Sequence, residues 1–301
     1  MSDIRYDDRV ALVTGAGAGL GRAHALLLAE RGALVVANDL GGSRAGEGSS
    51  TSAAEAVVAE IRAAGGTALA NTDSVADAEG AARMVQAALD TFGRLDIVVN
   101  NAGILRDVSY GKMSARDWEA VLSVHLDGTH HVTHAAWPHL RAAGYGRIVN
   151  TTSASGLYGN FGQVNYGAAK MGIVGLTRAL AVEGASKNIL VNCVAPAAAS
   201  RLTEDTLTPE LFDRLRPEYV ASLVGYLVSD ECTDTGRVYA VGGGYVSRVA
   251  VLEGQGAVFA DVPSPERIRD SFDVINDLEG AVEPLSGPES VDHIVKRMGA
   301  A

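Results

Sequence analysis

Short runs of β-branched and other apolar residues alternate with longer Ala-rich stretches along most of this chain, and that rhythm limits its fold more than any other feature. Val10–Thr14, Ala33–Asn38, Thr67–Ala70, Leu95–Val99, Arg147–Asn150, Ile189–Val194 and Arg237–Val241 read as strands. Between them Ala53–Ala64, Ala78–Phe92, Asp117–Ala143, Asn165–Ser186 and Glu218–Val228 carry apolar residues at three- and four-residue spacing, the mark of amphipathic helices. Strand and helix repeated in this way predict an α/β fold: a doubly wound, seven-stranded parallel sheet covered on both faces. The Gly, Ser and Thr of Gly41–Ser52 predict a flexible loop after the second strand.

After Gly244 the rhythm stops. An alternating segment, Tyr245–Leu252, leads into a turn at Glu253–Gly256, a short apolar run to Phe259, and two helical stretches around Pro265–Leu278 and Ser290–Met298. These continue no βα unit, so the expected division is a core at 1–244 and a C-terminal appendage at 245–301 that serves as an interface and pocket cover.

Charge and cysteines narrow the functional classes. Lys+Arg 25 against Asp+Glu 36 gives a net charge of −11, which repels nucleic-acid phosphates and anionic lipid surfaces. No apolar run approaches the ~18–20 residues that span a bilayer, and MSDIRYDDR is charged where a signal peptide is apolar. Cys193 and Cys232 lie in apolar segments without metal-ligand or redox spacing. That cysteine usage fits a reducing, cytoplasmic setting, and the last residues, Met298-Gly299-Ala300-Ala301, form no peroxisomal-type tripeptide. His130 and His134 stand four apart among His125, His131 and His139, but a structural zinc site needs four ligands and no Cys lies nearby, so no metal is expected.

Directly after the first strand stands Thr14-Gly15-Ala16-Gly17-Ala18-Gly19-Leu20-Gly21, followed by the helical Arg22–Arg31. Glycines between a strand and a helix let the backbone approach a pyrophosphate at the helix N-terminus, the Rossmann-like arrangement. The spacing is Thr-Gly-x-x-x-Gly-x-Gly rather than GxGxxG. Gly15, Gly19, Leu20 and Gly21 are thus cofactor-binding candidates. Asp39 ends the second strand 18 residues past Gly21, where a carboxylate accepts the ribose hydroxyls of NAD and repels the 2′-phosphate of NADP. Arg44, in the following loop, is the residue that could restore NADP binding.

Tyr166 and Lys170 are four residues apart on one helical face, so the ammonium can favour the phenolate of a general base. Ser153, thirteen residues upstream at the end of a predicted strand, is where a reacting oxygen would lie in an open α/β sheet.

With Ser153, Tyr166, Lys170 and the glycine loop, the chain resembles the short-chain dehydrogenase/reductase superfamily from about Val10 to Gly244. Asn100-Asn101-Ala102-Gly103 and Asp73-Ser74 match its further landmarks. The resemblance implies that Tyr166 transfers the proton, that Lys170 binds the nicotinamide ribose and lowers the Tyr pKa, and that Ser153 positions the substrate oxygen. It also implies that Asn101, Ala102 and Gly103 line the adenosine and that Asp73 and Ser74 meet the adenine. Longer strings resemble one branch in particular, the (3R)-hydroxyacyl-CoA dehydrogenase domain of peroxisomal multifunctional enzyme type 2, also described as 17β-hydroxysteroid dehydrogenase type 4. They include Asn38–Gly42, Asn100–Arg106, Tyr158–Gln163 and Pro217–Ala221. Two positions depart from the superfamily pattern. His125 stands where many members have an Asn with a proton-relay role, and Pro196 is followed by Ala197 where Pro-Gly is usual, leaving Pro196 and Thr203 to meet the nicotinamide.

The resemblance implies NAD-dependent oxidation of the 3-hydroxyl of a (3R)-hydroxyacyl-CoA during β-oxidation of a fatty or steroid side chain, and the apolar residues after Gly244, Val246, Val249, Val251, Leu252, Val258 and Phe259, predict a subunit interface in a homodimer or homotetramer. The alternatives are a hydroxysteroid dehydrogenase on free steroid alcohols and a catalytically silent NAD-binding scaffold.

Overall fold

The structure is a computed structural model and describes residues 3–198 and 208–299. Its strands are β1 (Val10–Thr14), β2 (Leu34–Asn38), β3 (Thr67–Asn71), β4 (Ile97–Asn100), β5 (Gly146–Thr151), β6 (Ile189–Pro196), β7 (Val238–Gly242) and β8 (Tyr245–Val249). They form one sheet in the order β3-β2-β1-β4-β5-β6-β7-β8. The first seven pair in parallel, with Thr14 beside Asn38 and Asn100 beside Asn150. The order reverses between β1 and β4, and such a switch point opens a crevice outside the carboxyl ends of the strands.

Period-two alternation sends the side chains of each buried strand to opposite faces. Ala11, Val13, Val35, Ala37, Ile97 and Val99 share one apolar cluster with α1 (Gly19–Glu30), α2 (Ser52–Ala63) and α9 (Pro217–Leu227). Val10, Leu12, Val36 and Val98 share the other with α3 (Ala78–Phe92) and α5 (Gly128–Ala143). The doubly wound α/β sandwich is therefore what the chain forms. α3 shows how local chemistry fixes the ends: the Asp77 carboxylate accepts from the Glu79 and Gly80 amides, and Gly93 closes the helix in the left-handed region.

Two expectations change. The sheet has eight strands rather than seven, because Tyr245–Val249 returns along β7 instead of leaving the sheet. Only Gly243 and Gly244 join the two strands, at φ 57° and 86°. A two-residue connection with two positive φ values is a type I′ hairpin, so β8 runs antiparallel to β7. The long helix expected over Asp117–Ala143 is three pieces: α4 (Ala115–Leu122), a π turn (Ser123–Asp127) and α5. The π turn inserts an extra residue into the helical ladder, and π bulges cluster at functional sites. The sequence pattern misses it because apolar residues continue through it at nearly helical spacing.

By its contacts the chain divides into two compact units, 1–248 and 249–301. The second holds α10 (Pro265–Asp270), α11 (Phe272–Asn276), α12 (Gly287–Gly299) and an antiparallel bridge between Glu253 and Val282. The helix expected over Pro265–Leu278 is thus broken at Ser271. Among the described residues no helix is long and apolar enough to cross a membrane.

Candidate active site

The glycine loop leaves β1 and turns back over its own start. Gly15 has φ 65°, and a β-carbon on Gly21 would lie 2.1 Å from the Gly15 carbonyl oxygen, so both positions exclude a side chain. Asn101 braces this turn from β4. Its side-chain amide donates to the Thr14 and Gly15 carbonyls at 3.0 and 3.2 Å, while the Asn101 and Ala102 amides donate to the Thr14 hydroxyl. Asp39, at the end of β2, accepts from the Gly17 amide at 2.8 Å and the Gly41 amide at 2.7 Å. Its carboxylate is thereby fixed between the glycine loop and the loop after β2. Asp73 is held by the Asn71 amide at 2.8 Å and the Arg83 guanidinium at 2.7 Å.

These elements enclose a cavity of about 360 Å³. Of the residues expected at a dinucleotide, Gly15, Gly19, Leu20, Asp39, Asp73, Ser74, Asn101, Ala102 and Gly103 line it, and Arg44 stands in the same wall. Gly21 serves the turn from beneath, Pro196 ends β6, and Thr203 lies outside the described residues. A side-chain-free cradle opposite an acidic strand end fits a dinucleotide: the loop amides would receive the pyrophosphate and Asp39 the ribose hydroxyls.

Ser153, Tyr166 and Lys170 sit outside that wall, at the carboxyl end of β5 and the start of α7 (Val164–Gly184). Ser153 caps α6 (Ala154–Tyr158), its hydroxyl accepting from the Ser155 amide at 3.2 Å. Burial pushes the Tyr166 phenol above its ordinary pKa. A hydrogen bond from Ser153 works the other way, and the charge of Asp107 adds to the rise. Lys170 is buried, with its ammonium 5.5 Å from the Tyr166 ring centre and donating to the Thr151 carbonyl at 2.6 Å. Burial pulls Lys170 down to about 7, so near neutrality it favours the phenolate for only part of the time.

His125 links the two halves. It sits on the π turn with its ring edge-on to Tyr166 at a centroid distance of 5.1 Å. Its Nε2 lies 2.8 Å from the Ile104 carbonyl and 3.1 Å from the Ile104 amide, at the cavity wall. Its Nδ1 is buried without a hydrogen-bond partner among the described residues, and burial, then the charge of Lys170, hold the ring well below the usual histidine pKa. The ring is a neutral group facing the Tyr166 phenol.

Sequence reasoning missed the residues that hold this trio in place. Asn165 is completely buried and accepts the Tyr166 amide at 2.8 Å. Gln163 accepts from the Ser155 hydroxyl and donates to Asp107, both at 2.8 Å. Asp107 is separated from Tyr166 by nearly sixty positions, so no local spacing reveals it. His130 and His134 have ring centres 5.4 Å apart, but among the described residues no three His, Cys, Asp or Glu side chains gather as metal ligands.

Comparison with known proteins agrees with this geometry. The family described as short chain dehydrogenase matches residues 9–208. A short-chain type dehydrogenase/reductase of Mycobacterium tuberculosis is 56% identical over 274 residues, covering 91% of this chain and 96% of that protein. Peroxisomal multifunctional enzyme A of Dictyostelium discoideum is 51% identical over 292 residues, 97% of this chain but 65% of the longer protein. The solved structure of full-length peroxisomal multifunctional enzyme type 2 from Drosophila melanogaster superimposes with a TM-score of 0.83 at 40% identity, covering 99% of this chain and 50% of that one. The chain thus spans half to two thirds of these multifunctional relatives and nearly all of the mycobacterial one. A glycine cradle facing an acidic strand end, a Ser-Tyr-Lys trio beside it and a family match across two thirds of the sequence place this chain among the short-chain dehydrogenases.

Proposed function

We propose that this enzyme oxidises the 3-hydroxyl of (3R)-hydroxyacyl-CoA thioesters with NAD. The observation that carries the reaction type is the part-buried Tyr166 phenol, with Ser153 among the groups that shift its pKa and neutral His125 edge-on to its ring, next to a cavity shaped for a dinucleotide. A bound nicotinamide supplies the hydride acceptor. Ser153 holds the substrate oxygen, and Tyr166 removes its proton as the carbonyl forms. Lys170 holds its ammonium beside the phenol, anchored on Thr151. His125 keeps the Ile104 segment and the base in register. NAD rather than NADP is supported by Asp39, whose fixed carboxylate would face a 2′-phosphate. The acyl-CoA is supported by the resemblance of strings such as Asn100–Arg106 to the (3R)-hydroxyacyl-CoA dehydrogenase branch.

We also infer a homodimer or homotetramer in a reducing, cytoplasmic-type compartment. Two buried free thiols, Cys193 and Cys232, support the compartment, and the apolar surface of the C-terminal unit supports the assembly.

The test is NADH production from a panel of (3R)- and (3S)-hydroxyacyl-CoAs and free steroid alcohols, with NAD and NADP. The (3R) thioesters should be oxidised, with kcat/KM at least about tenfold higher for NAD, a ratio of only ~1.4 kcal/mol. Tyr166→Phe should lower kcat by about 10²–10⁴-fold, the usual share of acid–base catalysis, while NAD affinity holds. Exclusive use of (3S) thioesters or of free steroids would overturn the substrate assignment.

A further inference from the structure

The roof of the cavity is the loop between β2 and α2, and it has a defined shape. Its neck is closed by the Ser50 amide on the Leu40 carbonyl at 2.9 Å, and its tip is folded by the Ser43 amide on the Glu47 carbonyl at 2.8 Å. Gly42, Ser43, Arg44 and Gly46 face the cavity. This compact surface loop, of the kind that often carries function, is fastened to the opposite wall at two consecutive residues. The Leu105 amide donates to the Arg44 carbonyl at 3.0 Å, and the Arg106 guanidinium donates from Nε to the Ala45 carbonyl, also at 3.0 Å.

Arg106 does more than hold the roof. Its Nη1 reaches the Asp117 carboxylate on α4 at 3.4 Å, and its side chain is 14% exposed. The carbonyls of Arg106 and Asp117 both accept from the side-chain amide of Asn165, at 3.3 and 3.2 Å. The Asn165 carbonyl oxygen in turn accepts from the Tyr166 amide. One chain of hydrogen bonds therefore runs from the loop over the adenosine end of the cavity to the backbone of the catalytic base. A guanidinium is suited to this place, since its planar fork serves two acceptors in fixed directions where an ammonium is a point donor.

We propose that Arg106 is a positioning residue that couples the 41–50 loop to the first turn of α7, so that closing the loop over the adenosine end of a dinucleotide and setting the Tyr166 phenol are one event. The proposal rests on the dinucleotide reading of the cavity and not on the acyl-CoA substrate. It differs from a simple structural brace in its direction of action. A ligand filling only the adenosine end, which cannot reach Tyr166, must still be felt at α7.

The test is amide hydrogen exchange of the full chain with and without ADP, with the ADP dissociation constant measured by calorimetry. In the wild type, ADP is expected to slow exchange both in 41–50 and at 164–168. In Arg106→Met the loop should still be protected, the protection at 164–168 should vanish, and ADP should bind about tenfold more weakly. Arg106→Lys, able to serve one acceptor at a time, should fall between. Protection confined to the loop in the wild type would overturn the coupling, as would an Arg106→Met chain with wild-type affinity and an unchanged pattern. If Arg106→Met does not fold, the wild-type pattern and Arg106→Lys decide. A wild type that binds no ADP would overturn the cavity reading together with this proposal, whereas failure of the acyl-CoA assignment shows only in the turnover panel.

Discussion

At the residue scale the site is built on groups held away from their ordinary ionisation. Lys170 titrates at about 7 in the folded chain against 10.5 in the open, because burial penalises its charge. Between those values the unfolded chain binds a proton that the folded one does not, so stability rises with pH across that window and bears the full penalty below 7. Lys170→Met should therefore raise the Tm at pH 7, by roughly 2–4 °C for each kcal/mol relieved, with the lost bond to Thr151 offsetting part of it. The advantage should fade as calorimetry is repeated towards pH 10; a Met variant less stable than wild type at every pH would refute it. Asp107 acts on the proposed base, its negative charge adding to the rise that burial gives the Tyr166 pKa. Asp107→Asn keeps a side chain of the same shape beside Gln163, so the rising, acid-side limb of the kcat/KM profile, set by protonation of the base, should move to lower pH with the plateau preserved. Ser153, Tyr166 and Lys170 were legible because loop, strand end and helical spacing are local signals. Asp107, Asn165 and Arg106 were not, because their role lies in which distant carbonyl or amide they meet.

At the element scale the strands and most helices could be read because each is either buried on both faces or striped on one, and both patterns survive in one dimension. The breaks could not. The π turn at Ser123–Asp127 keeps apolar residues in nearly helical sequence, yet it is what turns His125 towards Tyr166. The β7–β8 hairpin was hidden for a different reason: Gly243-Gly244 looked like the end of the sheet, whereas its paired positive φ values reverse the chain and add a strand. Gly244 isolates that backbone requirement, because among the described residues a β-carbon there would meet nothing closer than Tyr219 at 3.8 Å. Gly244→Ala should then cost about 1–2 kcal/mol, the penalty of an L residue in the left-handed region, read as a lowered urea midpoint with an unchanged slope. A midpoint within error of wild type would show that the turn relaxes to another type.

At the scale of the whole molecule the two units differ in kind. The first carries two apolar clusters, one on each face of the sheet, while in the second no described residue is buried. On α12, Val291, Ile294, Val295 and Met298 recur at three- and four-residue spacing, which aligns them on one face, and each is 48–64% exposed. Fifty-odd residues fall short of the ~70–80 at which a small domain sustains its own core, so covering this stripe would add the apolar burial that the unit lacks. A second copy meeting it about a twofold axis is the commonest solution, since a self-complementary patch buries both stripes at once. Deleting Val249 to Ala301 should then lower the oligomeric state in sedimentation. Replacing Ile294 and Val295 by Asp should do the same in the full chain, where the composition of the first unit is untouched. Placing charge in a buried apolar interface is costly, so the second experiment isolates the stripe from the loss of the segment. A double Asp variant that sediments as the wild type does would show that this stripe carries no contact between copies.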